Sequence, residues 1–276
     1  MAWTEERILI LCKTYPSPSL KYTETSCVAG INELDKFRRL YPVPFRLIRD
    51  EQQFKKWQWI NARIYKSNTD NRPESHKIYV DTIRCDPNSI STQDNWRDRR
   101  KWLEKLTIYS SFEAIESRRS QTSESLALLR PKRLLGLDVE KAESPDWTED
   151  ERAKLLQAQV QGDLFDQREE AKELRSLRKL PFDFYYRYEC DTPEGPIERR
   201  HKLVDWEVGA LYWNCRRSHG NGWEEPFRAR LETEFASKDL MILMGNIHRF
   251  QHQWLIISLI YPPKQRPLAE AQGTLF

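Results

Sequence analysis

RILILCKTY at residues 7–15 is followed by TSCVAGI (25–31), FRRLYPVPF (37–45), WINARIY (59–65) and HKIYVDTI (76–83). All five runs are rich in β-branched and aromatic residues. Breakers such as PSPS (16–19), Asn32 to Lys36 and KSNTDNRPES (66–75) separate them, the pattern of short strands divided by turns. Five strands at this spacing predict a small barrel or strongly curved sheet, capped by a helical turn around Glu51 to Lys56. Beyond residue 92 the period changes. NWRDRRKWLEKL and SFEAIESRRSQTSESLALL set Trp96, Trp102, Leu103 and Leu106, then Phe112, Ile115, Leu126 and Leu129, at helical intervals, which predicts two helices packed on the sheet.

The second half reads differently. RLLGLDVE (133–140), after Pro131, predicts a returning strand, and the Gln-rich stretch from Ala142 to Arg178 predicts a linker with a helix starting after SPDW. FDFYYRYEC and ERRHKLV form a strand pair across TPEGP. DWEVGALYWNCRR and PFRARLETEF read as helices, and DLMILMG and WLIISLIYPP as strands buried on both faces. The expected fold class is α+β. A basic β-rich module with packed helices spans 1–141, an acidic helical linker 142–178, a compact α+β domain 179–265 and a flexible tail 266–276.

Charge follows the same division. Residues 1–133 hold 25 Lys/Arg against 17 Asp/Glu, residues 134–176 hold 6 against 12, and residues 177–276 hold 14 against 13. A basic first part and an acidic connector point to two units with different partners. The chain of 276 residues is 39% apolar and 12% aromatic, which excludes wholesale disorder. No apolar run reaches the roughly 18 residues of a membrane span, and MAWTEERILIL has acids where a signal peptide carries positive charge. A soluble, cytoplasmic protein with no membrane partner is expected. Five cysteines without a CxxC pair signal neither a disulfide framework nor a zinc ribbon. Cys190, His201 and Cys215 lack a fourth ligand, so no metal is expected.

KFRRLYPVPFRLIRDEQQFKKWQW interleaves Lys36, Arg38, Arg39, Arg46, Arg49, Lys55 and Lys56 with Tyr41, Phe45, Trp57 and Trp59. Cations neutralise phosphates and aromatic faces stack on bases, so this stretch, with Trp57 and Trp59 as platforms, is the expected nucleic-acid-binding surface. The competing reading makes the aromatics core and the cations a solvated face. For catalysis, Asp205 and Glu207 of LVDWEVG, with His248 of NIHRFQHQ, could hold Mg²⁺ in a metal-dependent nuclease. On a helix, however, Asp205 is an N-cap. There is no phosphate loop, dinucleotide fingerprint, nucleophile elbow or HExxH, so a binding protein without a cofactor is preferred to an enzyme.

QGDLF (161–165) and QGTLF (272–276) resemble the bacterial sliding-clamp-binding peptide, whose pattern is Gln, any residue, Ser or Asp, Leu, Phe. The resemblance implies that Gln161, Leu164 and Phe165, and likewise Gln272, Leu275 and Phe276, bind the clamp. Asp163 fits the third position and Thr274 departs from it. Alternatively, Leu156, Val160 and Leu164 form the buried stripe of a helix. KTYPSPSLKYTETSCVAG, RRLYPVPFR, FKKWQW, LVDWEVGALYWNC and WLIISLIYPP together resemble a family of uncharacterised bacterial proteins associated with mobile elements and anti-phage defence loci. The expectation is a DNA-binding accessory protein of such a system, brought to DNA through the sliding clamp and working with other defence proteins. A protein-interaction subunit without nucleic-acid contact is a further alternative.

Overall fold

The computed structural model describes residues 2–19, 23–144, 146, 148–149 and 178–265. It is α+β throughout. In the first part, β1 (Thr4–Lys13), β2 (Ser17–Ser19), β3 (Thr23–Asn32), β4 (Phe37–Val43), β5 (Gln58–Lys66), β6 (Ser75–Ile78) and β7 (Arg84–Ser89) form one sheet. Its order is β1-β3-β4-β6-β5, and β5 also pairs with β1, from Thr4 opposite Ile64 to Leu9 opposite Trp59. The sheet therefore closes into a five-stranded barrel. Counted by its five main strands, the order is 1-2-3-5-4-1, with the third and fifth parallel.

Alternation explains the barrel. Ile8, Ile10, Val28, Leu40, Ile60, Ala62 and Ile64 point inward, and Phe45, Ile48 and Phe54 plug one end from the segment carrying a 3-10 turn at Asp50–Gln52. Gly30 marks the tightest approach, since a Cβ there would lie 2.3 Å from the Leu9 carbonyl oxygen.

The second sheet contains β8 (Ile108–Tyr109), β9 (Leu126–Leu129), β10 (Arg133–Lys141), β11 (Phe182–Thr192), β12 (Gly195–Leu203), β13 (Met241–Asn246) and β14 (Trp254–Ile260). Their order is β10-β11-β12-β14-β13-β9-β8. The helices are α1 (Gln93–Leu103), α2 (Phe112–Thr122), α3 (Trp206–His219) and α4 (Glu224–Arg228), the last continuing as a π-helical stretch, Ala229–Glu234.

The boundary expected at residue 141 is corrected. β8, β9 and β10 belong to the second sheet because Leu126 to Leu129 pair with β13 and Arg133 to Lys141 with β11. Likewise α2 contributes Ile115 to the second sheet's core, whereas α1 packs on the barrel. The linker helix and the tail fall outside the described residues, apart from the linker's first few positions and Arg178.

Two cores sandwich the second sheet. On one face Phe184, Tyr186, Tyr212, Phe227, Met244 and Ile256 pack with α3 and α4. On the other, Leu126, Leu128, Met241, Leu243 and Ile257 pack against Leu9, Leu11, Ala29, Ile31, Trp57 and Trp59 on the barrel's outer wall. With cover on both faces, β9 is wholly apolar, and β13 and β14 are apolar apart from Asn246 and Ser258.

Candidate functional site

The sheet covers only part of the barrel's outer wall. On β3, Ala29 and Ile31 lie beneath it, while Thr25 and Cys27, on the same side of the strand, face a cleft of about 770 Å³. Arg39 and Tyr41 of β4 join them. The segment after β1 (Thr14, Tyr15), the β5–β6 loop (Ser67, Thr69, Asp70, Arg72) and the β13–β14 loop, with His248 and Arg249, complete its lining.

Hydrogen bonds tie barrel to sheet around this cleft. Tyr15 N donates to Val204 O at 2.7 Å. Arg39 Nη2 donates to Ser125 O at 2.8 Å, and Arg72 Nη1 donates to Asn246 O at 2.7 Å. Glu74 accepts from the Ser125 and Leu126 amides at 2.7 and 3.1 Å, which orients the strand that Arg39 reaches.

The cleft's two buried arginines differ. Arg72 forms a fork with Asp70, whose carboxyl burial pushes up but whose Arg72 contacts hold it well below the usual carboxylate range. Arg39 is 5% exposed. Its guanidinium bonds only to uncharged atoms among the described residues, namely Ser125 O and Oγ and Cys27 Sγ, and its Nε is buried without a partner. Thr25, 2% exposed, also has a buried hydroxyl without a partner among the described residues. At the mouth stand Tyr41, 51% exposed, with Lys77, His76 and Arg249. Burial lowers the His76 pKa, so its ring is neutral at pH 7. This arrangement, cations and a free aromatic face lining a concavity with polar groups at its floor, can hold an anion beside a planar ring.

The sequence-predicted surface is not assembled. Trp57 and Trp59 are 2% and 7% exposed beneath the sheet and α1, where they meet Trp96 and Trp102 edge-on at 5.7 and 4.9 Å. They are core and cannot stack on bases. Lys56 is largely covered, its side chain 11% exposed, donating to Leu259 O at 2.7 Å and Glu207 Oε2 at 3.1 Å. Arg38 pairs with Glu6. Lys36, Arg49 and Lys55 are exposed and Arg46 is partly so, on the β3–β4 turn and the barrel-plugging segment. Of the cations and tryptophans in that stretch, Arg39 alone lines the cleft, joined by Tyr41. Of the residues missed, Tyr15 ends a stretch read as a strand and Asp70 and Arg72 lie in one read only as a breaker; loops on a rigid scaffold are where sites gather.

The nuclease set is also separated. Asp205 caps α3, accepting from Glu207 N at 2.8 Å and from Leu259 N at 3.0 Å, with Lys56 Nζ at 4.0 Å. Burial pushes its carboxyl up to about 6, against the pull of Lys56. His248 stands instead in the cleft, 3.8 Å from Asp70. Among the described residues no three His, Cys, Asp or Glu side chains gather to hold a metal. His201 is bonded to the Tyr188 hydroxyl at 2.8 Å, and burial with nearby Arg199 lowers its pKa to about 4. Gln161, Leu164, Phe165, Gln272, Leu275 and Phe276 lie outside the described residues. No described helix is long and apolar enough to cross a membrane.

A closed five-stranded barrel in this order, with its parallel third and fifth strands, has the topology of an OB-type barrel, here joined to a seven-stranded α+β sheet domain. The chain belongs to the family described as Domain of unknown function (DUF8757), which matches residues 108–276; residues 4–105 match Domain of unknown function (DUF8758). The division between the two falls where α1 gives way to β8. Comparison with curated proteins yields no match. Among solved structures, the chain is similar to one from "Structure and Conformational Change of a Replication Protein A Heterotrimer Bound to ssDNA", at 7% identity and a TM-score of 0.26. That overlap covers 98% of this chain and 66% of the other, so this chain spans about two thirds of its length. It is too loose to bear on fold or ligand.

Proposed function

We propose that the protein binds single-stranded nucleic acid in the cleft between barrel and sheet. The observation that carries this reading is the cleft's position. It lies on the outer face of the barrel's second and third main strands and between the 1–2 and 4–5 loops, the surface through which OB barrels take oligonucleotides and oligosaccharides. Its chemistry favours the nucleotide: Arg39, Lys77 and Arg249 supply positive charge and Tyr41 an open ring. DNA is preferred to RNA because the two clamp-like pentapeptides at 161–165 and 272–276 suit a DNA-associated accessory protein recruited through the sliding clamp, in a bacterial defence or mobile-element setting.

The test is fluorescence anisotropy with labelled single strands. Tyr41→Ala should weaken binding by about 1–3 kcal/mol, and Lys77→Ala with Arg249→Ala should reduce the logarithmic salt slope by roughly 0.7 for each phosphate left unneutralised. Unchanged affinity and slope in the triple variant would reject the cleft as the site.

A further inference from the structure

We infer that the floor of the cleft is a seat for a terminal phosphate monoester, so that the protein takes the end of a strand rather than its middle. The inference rests on the single-strand reading above and deepens it. Two observations on the floor carry it. First, Arg39 is a buried guanidinium whose bonds, among the described residues, go only to neutral atoms, and its Nε has none. A buried charge is ordinarily paired, because its desolvation is otherwise uncompensated, and Arg72 in the same cleft follows that rule with Asp70. Second, the Thr25 hydroxyl, on the same side of β3 as the Cys27 that Arg39 touches, is buried and unpartnered as well. An unused N–H and an unused hydroxyl at one concave floor are donors for an anion's oxygens.

The shape explains why the anion is terminal. Beyond Thr25 and Cys27 the same side of β3 runs under the sheet, where Ala29 and Ile31 are packed in the core. At Arg39 the two halves touch: its Nη2 bonds Ser125 O, and a Cβ on Gly245 would lie 3.2 Å from that nitrogen. The Tyr15–Val204 and Arg72–Asn246 bonds close the sides. A strand threading the cleft would have to break one of these ties, whereas an end entering past Tyr41 breaks none. The volume of about 770 Å³ suits one or two nucleotides. A dianionic monoester gives Arg39 the charge partner it lacks, which an internal phosphodiester, with one charge and substituents on both sides, supplies less well.

The ligand chemistry, a phosphate monoester next to a base, could come from a strand end or from a free nucleotide. The experiment separates them with one decanucleotide sequence carrying a 5′-phosphate, a 3′-phosphate or neither, a circular single strand, and a nucleoside monophosphate as competitor. One phosphorylated end should bind about tenfold or more tightly than the hydroxyl-ended and circular forms. Thr25→Val should abolish that preference with the melting temperature unchanged, since the hydroxyl has no partner among the described residues. Arg39→Gln, which removes the guanidinium, should abolish the preference too. Binding of the monophosphate without any oligonucleotide would keep the phosphate seat, assign it to free nucleotides and reject the single-strand reading. Circular and hydroxyl-ended strands binding as tightly as phosphorylated ones would overturn the inference while leaving single-strand binding intact. A preference that survives in Thr25→Val and Arg39→Gln would place the phosphate elsewhere and overturn it too.

Discussion

Two largely covered cations sit where the barrel meets the second sheet, and they are solvated in opposite ways. Lys56 donates to a carbonyl and to Glu207, with Asp205 at 4.0 Å, so that its charge is held despite burial. Arg39 donates to a carbonyl, a hydroxyl and a thiol, and leaves one N–H unused. The first is a joint: every partner belongs to the chain, and the cluster ties β5 to α3 and β14. The second lines an open cleft. A satisfied buried charge explains how two halves hold together. An unsatisfied one that reaches a concavity is a place for something else to bind.

That contrast can be broken most decisively at Lys56. Lys56→Met takes from the buried Asp205 carboxylate its nearest cation, and should cost about 3–5 kcal/mol in urea unfolding. Adding Asp205→Asn, which still caps α3, should recover part of the loss. Arg39→Gln breaks no direct ion pair, since the buried Glu74 carboxylate meets Arg39 only through the Ser125 hydroxyl, and should cost about 1–3 kcal/mol, less than Lys56→Met, while removing the preference for a phosphorylated end. If Arg39→Gln destabilises as much as Lys56→Met, both are joints and the cleft loses its argument.

A smaller effect comes from His201. Its ring titrates near 6.5 in an unfolded chain and at about 4 in the fold, lowered by burial and Arg199. The folded value is depressed, so its contribution is full above pH 6.5. It is lost as pH falls towards 4, because the unfolded chain takes the proton first. The expected loss between pH 7 and 4 is on the order of 2 kcal/mol after solvent screening. Urea midpoints across that range should fall less steeply in His201→Gln; an equal slope would contradict the assignment. Smallest is the tail. Leu275→Ala with Phe276→Ala should leave the melting temperature unaltered and remove binding to the purified sliding clamp, and retained clamp binding after the Leu164→Ala, Phe165→Ala pair is added would reject the pentapeptide proposal.

Much of the fold was legible because local pattern determines it. The five barrel strands, the α3 helix with its Asp205 cap, and the apolar runs of β13 and β14 each declare themselves over a few residues. Partner choice did not. Nothing within LALL or RLLGLDVE says whether they pair with the barrel or with β13 and β11, since that is decided by residues more than 40 positions away. The site was misread for a related reason. Alternation correctly puts Trp57 and Trp59 on the outside of the barrel, but it cannot say what covers that side, and here the covering is Leu126, Leu243 and α1. Arg39 was within the basic stretch, indistinguishable there from Arg38, which pairs with Glu6. Its distinction is the lack of a charged partner, a property of the assembled cleft.

The most direct test is the affinity of a short 5′- or 3′-phosphorylated single strand for the parent protein and for Arg39→Gln, titrated at several salt concentrations with the fold checked by melting temperature. A loss of about tenfold or more at low salt, with a shallower salt slope and the fold retained, is the predicted result. Equal affinity and equal slope in the two proteins would contradict the account.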